Sequence, residues 1–488
     1  MGAKKAKLNL DFGYNGVSMN FAIANDIQSR NGVESEWSVG MSSFNADELE
    51  DFPGIAQKKI DENRVKSIAS FIEKNIIEWQ RVNGCDFDSL MEVTISANFF
   101  EVLFSPFSFK FAKPTVITDE VLKEIEECKQ SEKMFQTPIP GEKIRFFTSP
   151  YFTIFDDKED TVRVLNPVGS KTKSLGFDAY FIIKHPMFSR LLEIMKDKDE
   201  VIRVSLSCEK EFKALANKRE KEGKTALIHI TDTFSEFSVW NKSDLKYLNK
   251  KDVGLRELKE ILWRLCLCYH KTPKLTEHDS GVRQKGDDYM QKFYSMVKTT
   301  EISDDSKELL SADDCLELLE GASCIIDDEN DDSSRYGRFG LPGKNRTKTR
   351  LTISSYVLSY FTREVMRNLF LEIKRAMYND NFCKPDLIIL ECSLPLKGIE
   401  KLANEIFEIP TRKALVKWDG EVRGDLSSSA VGALQTLISV EERRATVENK
   451  HSIFRIMRKP TGEEGKSGAE NKKKTSKFDF FRFFSASS

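Results

Sequence analysis

Lys7-Leu8-Asn9-Leu10-Asp11-Phe12-Gly13 alternates apolar and polar residues and then meets the turn pair Asn15-Gly16. A second alternating run follows over 17–23, so the two read as a β-hairpin. The same design returns far downstream. Leu227-Ile228-His229-Ile230 precedes Phe237-Ser238-Val239-Trp240, and Leu245-Lys246-Tyr247-Leu248 comes after it. Each hairpin is followed by a helical period. In the first case Val65, Ile68, Ala69, Ile72, Ile76 and Trp79 carry it over 61–82; in the second it runs over 255–268. A strand at 91–96 follows the first helix. A hairpin followed by a helix, given twice, and the strand after the first helix predict an α/β chain with a duplicated core.

Between the two copies the composition changes. Phe-rich residues 102–111 read as a strand, and Thr118-Asp119 caps a helix that begins near Leu122. Further strands are expected around 146–155 and 161–165, which makes 98–177 an inserted subdomain. Residues 180–184 and 201–207 read as strands, and 187–196 and 209–221 as helices. Later come a helix at 353–378, a strand at 386–390 and helices at 396–406 and 427–437. Asp327-Asp328-Glu329-Asn330-Asp331-Asp332 and the basic, Gly-rich residues after it read as a loop over 326–350. Gly340-Leu341-Pro342-Gly343-Lys344 has only a superficial likeness to a P-loop, because its spacing is wrong.

The whole chain has 488 residues, room for several domains, and a net charge of −2. That balance argues against a dedicated nucleic-acid binder. No apolar run of about 20 residues exists to span a bilayer. The 9 Cys are scattered without a C-x-x-C pair and there are 5 His, so neither a metal set nor a disulfide framework is expected.

Six short stretches resemble, in order, the actin-like bacterial cell-division family FtsA. Residues 8–15 sit where that family has its first phosphate loop. Ile117-Thr118-Asp119-Glu120-Val121-Leu122 is similar to I-T-E-E-D-V, and Asn166-Pro167-Val168-Gly169 to N-P-x-G. Asp252-Val253-Gly254-Leu255 stands where the family has P-V-G-G. Residues 396–407 are similar to L-P-G-L-x-x-L-A-x-E-x-F, and Ser428-Ser429-Ala430-Val431-Gly432-Ala433-Leu434 to Y-A-T-A-V-G-L-L. The resemblance implies a two-domain actin/Hsp70-like fold. Residues 1–97 would form the first core and 98–177 the inserted subdomain of the SHS2 type. Residues 178–222 would be the return and crossover, and 223–255 the second hairpin core. Residues 256–350 would be a smaller subdomain and 351–450 the rest of the second core with its closing helix. A disordered linker would cover 451–476, and an amphipathic segment 477–488.

In such a fold, Gly-rich hairpins hold nucleotide phosphates through backbone N–H groups, and an Asp in each orients Mg²⁺ or water. The candidate nucleotide-binding residues are Asp11, Gly13, Asn15, Asp232, Ser235, Glu236 and Gly254. The pattern is degraded. Tyr14 replaces a small residue. The second loop reads Ile228-His229-Ile230-Thr231-Asp232-Thr233-Phe234-Ser235-Glu236, without the family's three glycines and with His229 at the first Asp position. Glu391-Cys392-Ser393-Leu394 stands where the adenosine loop reads T-G-G-G/A. Hydrolysis of ATP is therefore not expected, and no catalytic residue is assigned. For MgATP binding two outcomes stay open: a cleft rebuilt through Asp232 and Ser235, or one that takes no nucleotide. The bland readings stand beside these. Asp11 can be a turn former, His229 a core histidine, and Ser235 and Glu236 hairpin caps.

Lys477-Phe478-Asp479-Phe480-Phe481-Arg482-Phe483-Phe484 projects, as a helix, a narrow polar stripe: Asp479 and Arg482 lie about 60° apart and the five Phe fill most of the rest. Lys472, Lys473 and Lys474 precede it. The reading is a membrane-targeting segment; docking of the Phe cluster on the folded body or on another subunit is the alternative. The resemblance implies a scaffold on the cytoplasmic face of the cell membrane at the division site. Its partners would be the FtsZ C-terminal peptide, further copies of itself, later division proteins and the inner-membrane lipid surface, with no nucleic acid. An ATPase of the same superfold and a PilM-like pilus assembly protein are the alternatives.

Overall fold

The structure is a computed structural model. It describes residues 4–13, 16–29, 32–43, 62–130, 143–155, 161–195, 201–271, 287–300, 323–325, 336–342, 348–379, 384–416, 422–423, 427–439 and 482–485. The chain divides into two compact units, 1–215 with 416–488, and 216–415.

The first unit opens with strands β1 (Lys4–Gly13), β2 (Gly16–Ser29) and β3 (Gly32–Ser43), then helix α1 (Glu62–Asn83) and β4 (Cys85–Ile95). Next come β5 (Phe100–Val116), α2 (Asp119–Gln130), β6 (Lys143–Phe155), β7 (Thr161–Val164) and β8 (Lys171–Lys184). Helix α3 (Pro186–Met195), β9 (Val201–Leu206) and α4 (Ser207–Leu215) close this stretch. The second unit holds α5 (Lys218–Glu222), β10 (Lys224–Ile230), β11 (Ser235–Asn241), β12 (Asp244–Lys251), α6 (Arg256–Lys271) and α7 (Asp287–Thr299). It continues with β13 (Tyr336–Pro342), β14 (Lys348–Ser354), α8 (Ser355–Asn379), β15 (Leu387–Cys392), α9 (Ile399–Phe407) and β16 (Thr411–Lys413). The chain then rejoins the first unit through β17 (Val422–Arg423), a helix α10 over 428–439, and β18 (Arg482–Ser485).

The two main sheets share one design. In the first unit the order is β17-β3-β2-β1-β4-β9; in the second it is β12-β11-β10-β15-β16. In both, three antiparallel strands made by a hairpin and its return pair in parallel with a strand that follows a helix. The duplicated α/β core expected from the two hairpins is present. Alternation explains it: Leu8, Leu10 and Phe12 are buried in β1, and Ala226, Ile228 and Ile230 in β10. Phe12 meets Phe99 and Phe188 edge-on, with ring centres 5.6 and 5.0 Å away. In the second unit Val357, Phe361, Val365, Leu369, Ile373 and Met377 recur at helical spacing and bury one side of α8.

The insert leaves after β4 and returns before β9, and those two strands pair with each other. It forms a separate sheet, ordered β18-β5-β8-β6-β7, around Phe109, Phe152, Phe177 and Phe181. Its last strand runs to Lys184, beyond the expected end at 177. The Asn166–Gly169 element closes it for a local reason. Val168 N–H donates to Asn166 Oδ1 at 3.1 Å, and Ser170 N–H to the Pro167 carbonyl at 3.0 Å. Gly169, at φ +86°, then turns its N–H onto the Ile117 carbonyl at 2.8 Å.

Four further expectations need correction. Residues 336–342 and 348–350, read as part of a loop over 326–350, belong to an antiparallel hairpin of 336–342 with 348–354; 326–335 and 343–347 lie outside the described residues. The helix expected over 209–221 is two helices, because Asn217 caps a new start through a capping box with Glu220. The closing helix belongs to the first unit: Leu434, Leu437 and Ile438 pack with Ala22 and Val39. Finally, 482–485 is an extended strand on β5 rather than helix.

Candidate functional site

In the first unit the candidate loop begins with Asp11. A ladder of buried polar groups leads to it across the sheet. Asn20 Nδ2 donates to Asn9 Oδ1 at 3.1 Å, and Asn9 Nδ2 to Thr94 Oγ1 at 3.3 Å. Thr94 Oγ1 donates to Asp11 Oδ1 at 2.7 Å, and Ser427 Oγ to Asp11 Oδ2 at 2.9 Å. Both carboxylate oxygens thus accept hydroxyls of the same unit. Burial pushes the Asp11 pKa up from its ordinary 3.8, against the lowering effect of the Thr94 and Ser427 hydroxyls and with the Glu211 charge adding to the rise. Gly13 ends the strand opposite Gly16. Asn15 lies outside the described residues.

A carboxyl with a raised folded pKa binds its proton more tightly when folded. Its contribution is full below pH 3.8 and is lost as pH rises from there through the folded value. Asp11→Asn keeps the group neutral at every pH. Stability profiles from urea unfolding should show that fall in the parent chain and not in the variant.

In the second unit the loop between β10 and β11 closes on itself. Thr231 N–H donates to the Phe234 carbonyl at 3.0 Å, and Phe234 N–H to Thr231 Oγ1 at 3.2 Å. Thr231 Oγ1 also donates to the Phe234 carbonyl, at 2.8 Å. The start of α6 docks on the same turn: Leu255 N–H reaches the Thr231 carbonyl at 2.9 Å and Arg256 N–H the Asp232 carbonyl at 2.7 Å. These four amides, the kind that hold phosphate in a Gly-rich loop, are bonded within the chain.

The sequence candidates here come together, with structural roles. Asp232 pairs with Lys259 Nζ at 2.5 Å. Ser235 Oγ donates to the Val253 carbonyl at 2.8 Å. Glu236 is buried on β11, opposite His229. His229 Nδ1 lies 3.8 Å from Glu391 Oε2 on the neighbouring strand. A Cβ on Gly254 would stand 2.5 Å from the Thr231 carbonyl oxygen and 2.7 Å from that of Asp232. Gly254 is needed for backbone packing against the turn. Gly254→Ala should lower stability by about 1–3 kcal/mol through overpacking, read from the urea midpoint.

The third loop is also occupied. Ser393 N–H and Oγ both donate to the Ile230 carbonyl, at 3.0 and 3.1 Å. Burial pushes the Cys392 thiol up to about 11 and the Cys324 thiol up to about 12, so neither offers a thiolate at neutral pH. At Thr231 and Phe234 the amides that a Gly-rich turn would offer a phosphate are bonded within the turn, and both Asp11 oxygens accept hydroxyls. Reading the sequence alone missed Thr94, Ser427 and Lys259, the partners that engage Asp11 and Asp232. The signal for the first was available, since Glu92 and Thr94 put polar groups at alternate positions between the apolar Met91, Val93 and Ile95.

No protein-family model matches this sequence, and no curated protein matches it. Solved structures do. The PilM–PilN type IV pilus biogenesis complex matches with 10% identity and a TM-score of 0.39, over 88% of this chain and 98% of that one. MreB5 of Spiroplasma citri bound to ADP matches with 10% identity and a TM-score of 0.40, over 91% and 99%. The MamK double helical filament matches with 6% identity and a TM-score of 0.37, over 89% and 98%. At these values the likeness carries no argument about what this chain binds or does.

Proposed function

We propose that this chain is an actin-like scaffold of the FtsA kind that works without nucleotide. In this reading it holds FtsZ polymers to the cytoplasmic face of the cell membrane, associates with further copies of itself and recruits later division proteins. The observation that supports the nucleotide-free part is the turn at 231–234, where the Thr231 and Phe234 amides are bonded within the turn. The order of the six family-like stretches supports the FtsA assignment, and the twin sheets agree with a core of that type. Exposed apolar residues on the insert support a role in protein contacts: Val116, Val162 and Leu165 stand out of its sheet. The aromatic and basic residues 477–484 supply the membrane attachment.

Co-sedimentation tests this reading. FtsZ polymers should pellet with anionic vesicles only when the full chain is present, equally with and without MgATP. Removal of 477–488 should abolish the effect. Pelleting that needs ATP contradicts nucleotide independence, and no pelleting at all contradicts the tether.

A further inference from the structure

Strand β18 occupies the outer edge of the insert's sheet. Arg482 pairs with Lys110, Phe483 with Phe109, Phe484 with Ser108 and Ser485 with Phe107, all antiparallel. The other side of β5 is taken along this stretch by β8, from Phe107 opposite Phe177 to Lys110 opposite Ser174. Without β18, β5 would leave a long open edge, which proteins normally cover or blunt. Pro106 has no N–H and stands where the pairing stops. The edge from 107 to 110 is therefore one that a short strand can complete, by backbone bonds that ask little of side-chain identity.

We propose that this edge is a docking site for the chain's own C-terminal strand, and that membrane attachment requires its release. The second half rests on the reading that 477–484 binds lipid. Arg482, Phe483 and Phe484 belong to both arrangements. A residue extended on β5 cannot at the same time lie in an amphipathic helix at a bilayer surface. Four residues make a weak strand by themselves, but covalent attachment raises their effective concentration at β5. An anionic surface that binds the lysines and buries the aromatics competes for the same segment. The docked strand is then a resting state, and the membrane is what displaces it.

Amide exchange tests both halves on the full chain. In a strand, alternate N–H groups face the partner, so the double variant Phe483→Pro, Phe484→Pro removes at least one that faces β5, whichever of the two it is. Those amides of 107–110 that face β18 should exchange at least about tenfold faster in the variant than in the unaltered chain. Binding the unaltered chain to anionic phosphatidylglycerol vesicles should produce the same acceleration. Equal exchange in the variant and the unaltered chain overturns the docking. Protection that persists on vesicles overturns the competition. Protection that grows with protein concentration overturns the intrachain assignment in favour of a second copy. If the unaltered chain ignores vesicles while 107–110 stay protected, the lipid reading fails and the docked strand stands.

Discussion

Lys210→Met is expected to destabilise the first unit by about 3–5 kcal/mol. Glu92 lies fully buried on β4, and Lys210 Nζ on α4 sits 2.7 Å from its Oε1. Ser205 Oγ donates to the same oxygen, and Arg203 stands 3.8 Å from the other. Methionine keeps most of the volume of lysine but removes the buried cation and leaves the Glu92 carboxylate only Ser205 and the more exposed Arg203. The pair itself is a poor source of net stability, because desolvation offsets its attraction. The double variant Glu92→Leu, Lys210→Met should therefore recover most of the loss. A urea-unfolding cycle over the two singles and the double reads this coupling. A single Lys210→Met variant within about 1 kcal/mol of the parent contradicts the buried pair.

Gly432→Ala is expected to act on the same contact from the other side. Gly432 lies within α10, where alanine ordinarily stabilises a helix by about 1 kcal/mol. Here the added Cβ would fall on the backbone carbonyl of Lys210, far inside contact distance. Backbone cannot rotate away as a side chain can, so α4 and α10 must separate. The expected outcome is a loss of about 3 kcal/mol, the upper end of overpacking. The sign decides the matter. A gain would mean that Gly432 is an ordinary helix residue; a loss means that it sets the spacing of two helices. Since Thr436 Oγ1 accepts from Lys213 Nζ at 2.9 Å across the same contact, the effects of the two substitutions should not add.

What was legible in the sequence follows from where the information lies. Both hairpins, α1, α6 and α8 are written in local alternation or helical period, and the structure has them. Strand β3 has a weaker local signal, Asn31-Gly32 followed by Val33, Trp37 and Val39 at odd positions. Hairpin β13–β14 was hidden by composition, since Gly337, Gly340 and Pro342 mark turns more often than strands. The helix α10 was legible as a helix, while its place in the first unit depends on Ser427 meeting Asp11, which no local pattern records. The C-terminal segment shows the limit most clearly. Its projection as a helix is good, yet pairing with a strand more than 370 positions earlier gives 482–485 an extended form. In the candidate site the absence of glycines from the second loop was plain. The consequence, a turn whose amides bond to Phe234 and Thr231, required the fold.

In the proposed reading the hairpin turns serve the fold and not a nucleotide. Calorimetric titration of MgATP into the full chain tests it most directly. No heat beyond dilution is expected up to about 1 mM ligand. Saturable binding tighter than about 100 μM, or about −5.5 kcal/mol, would contradict it.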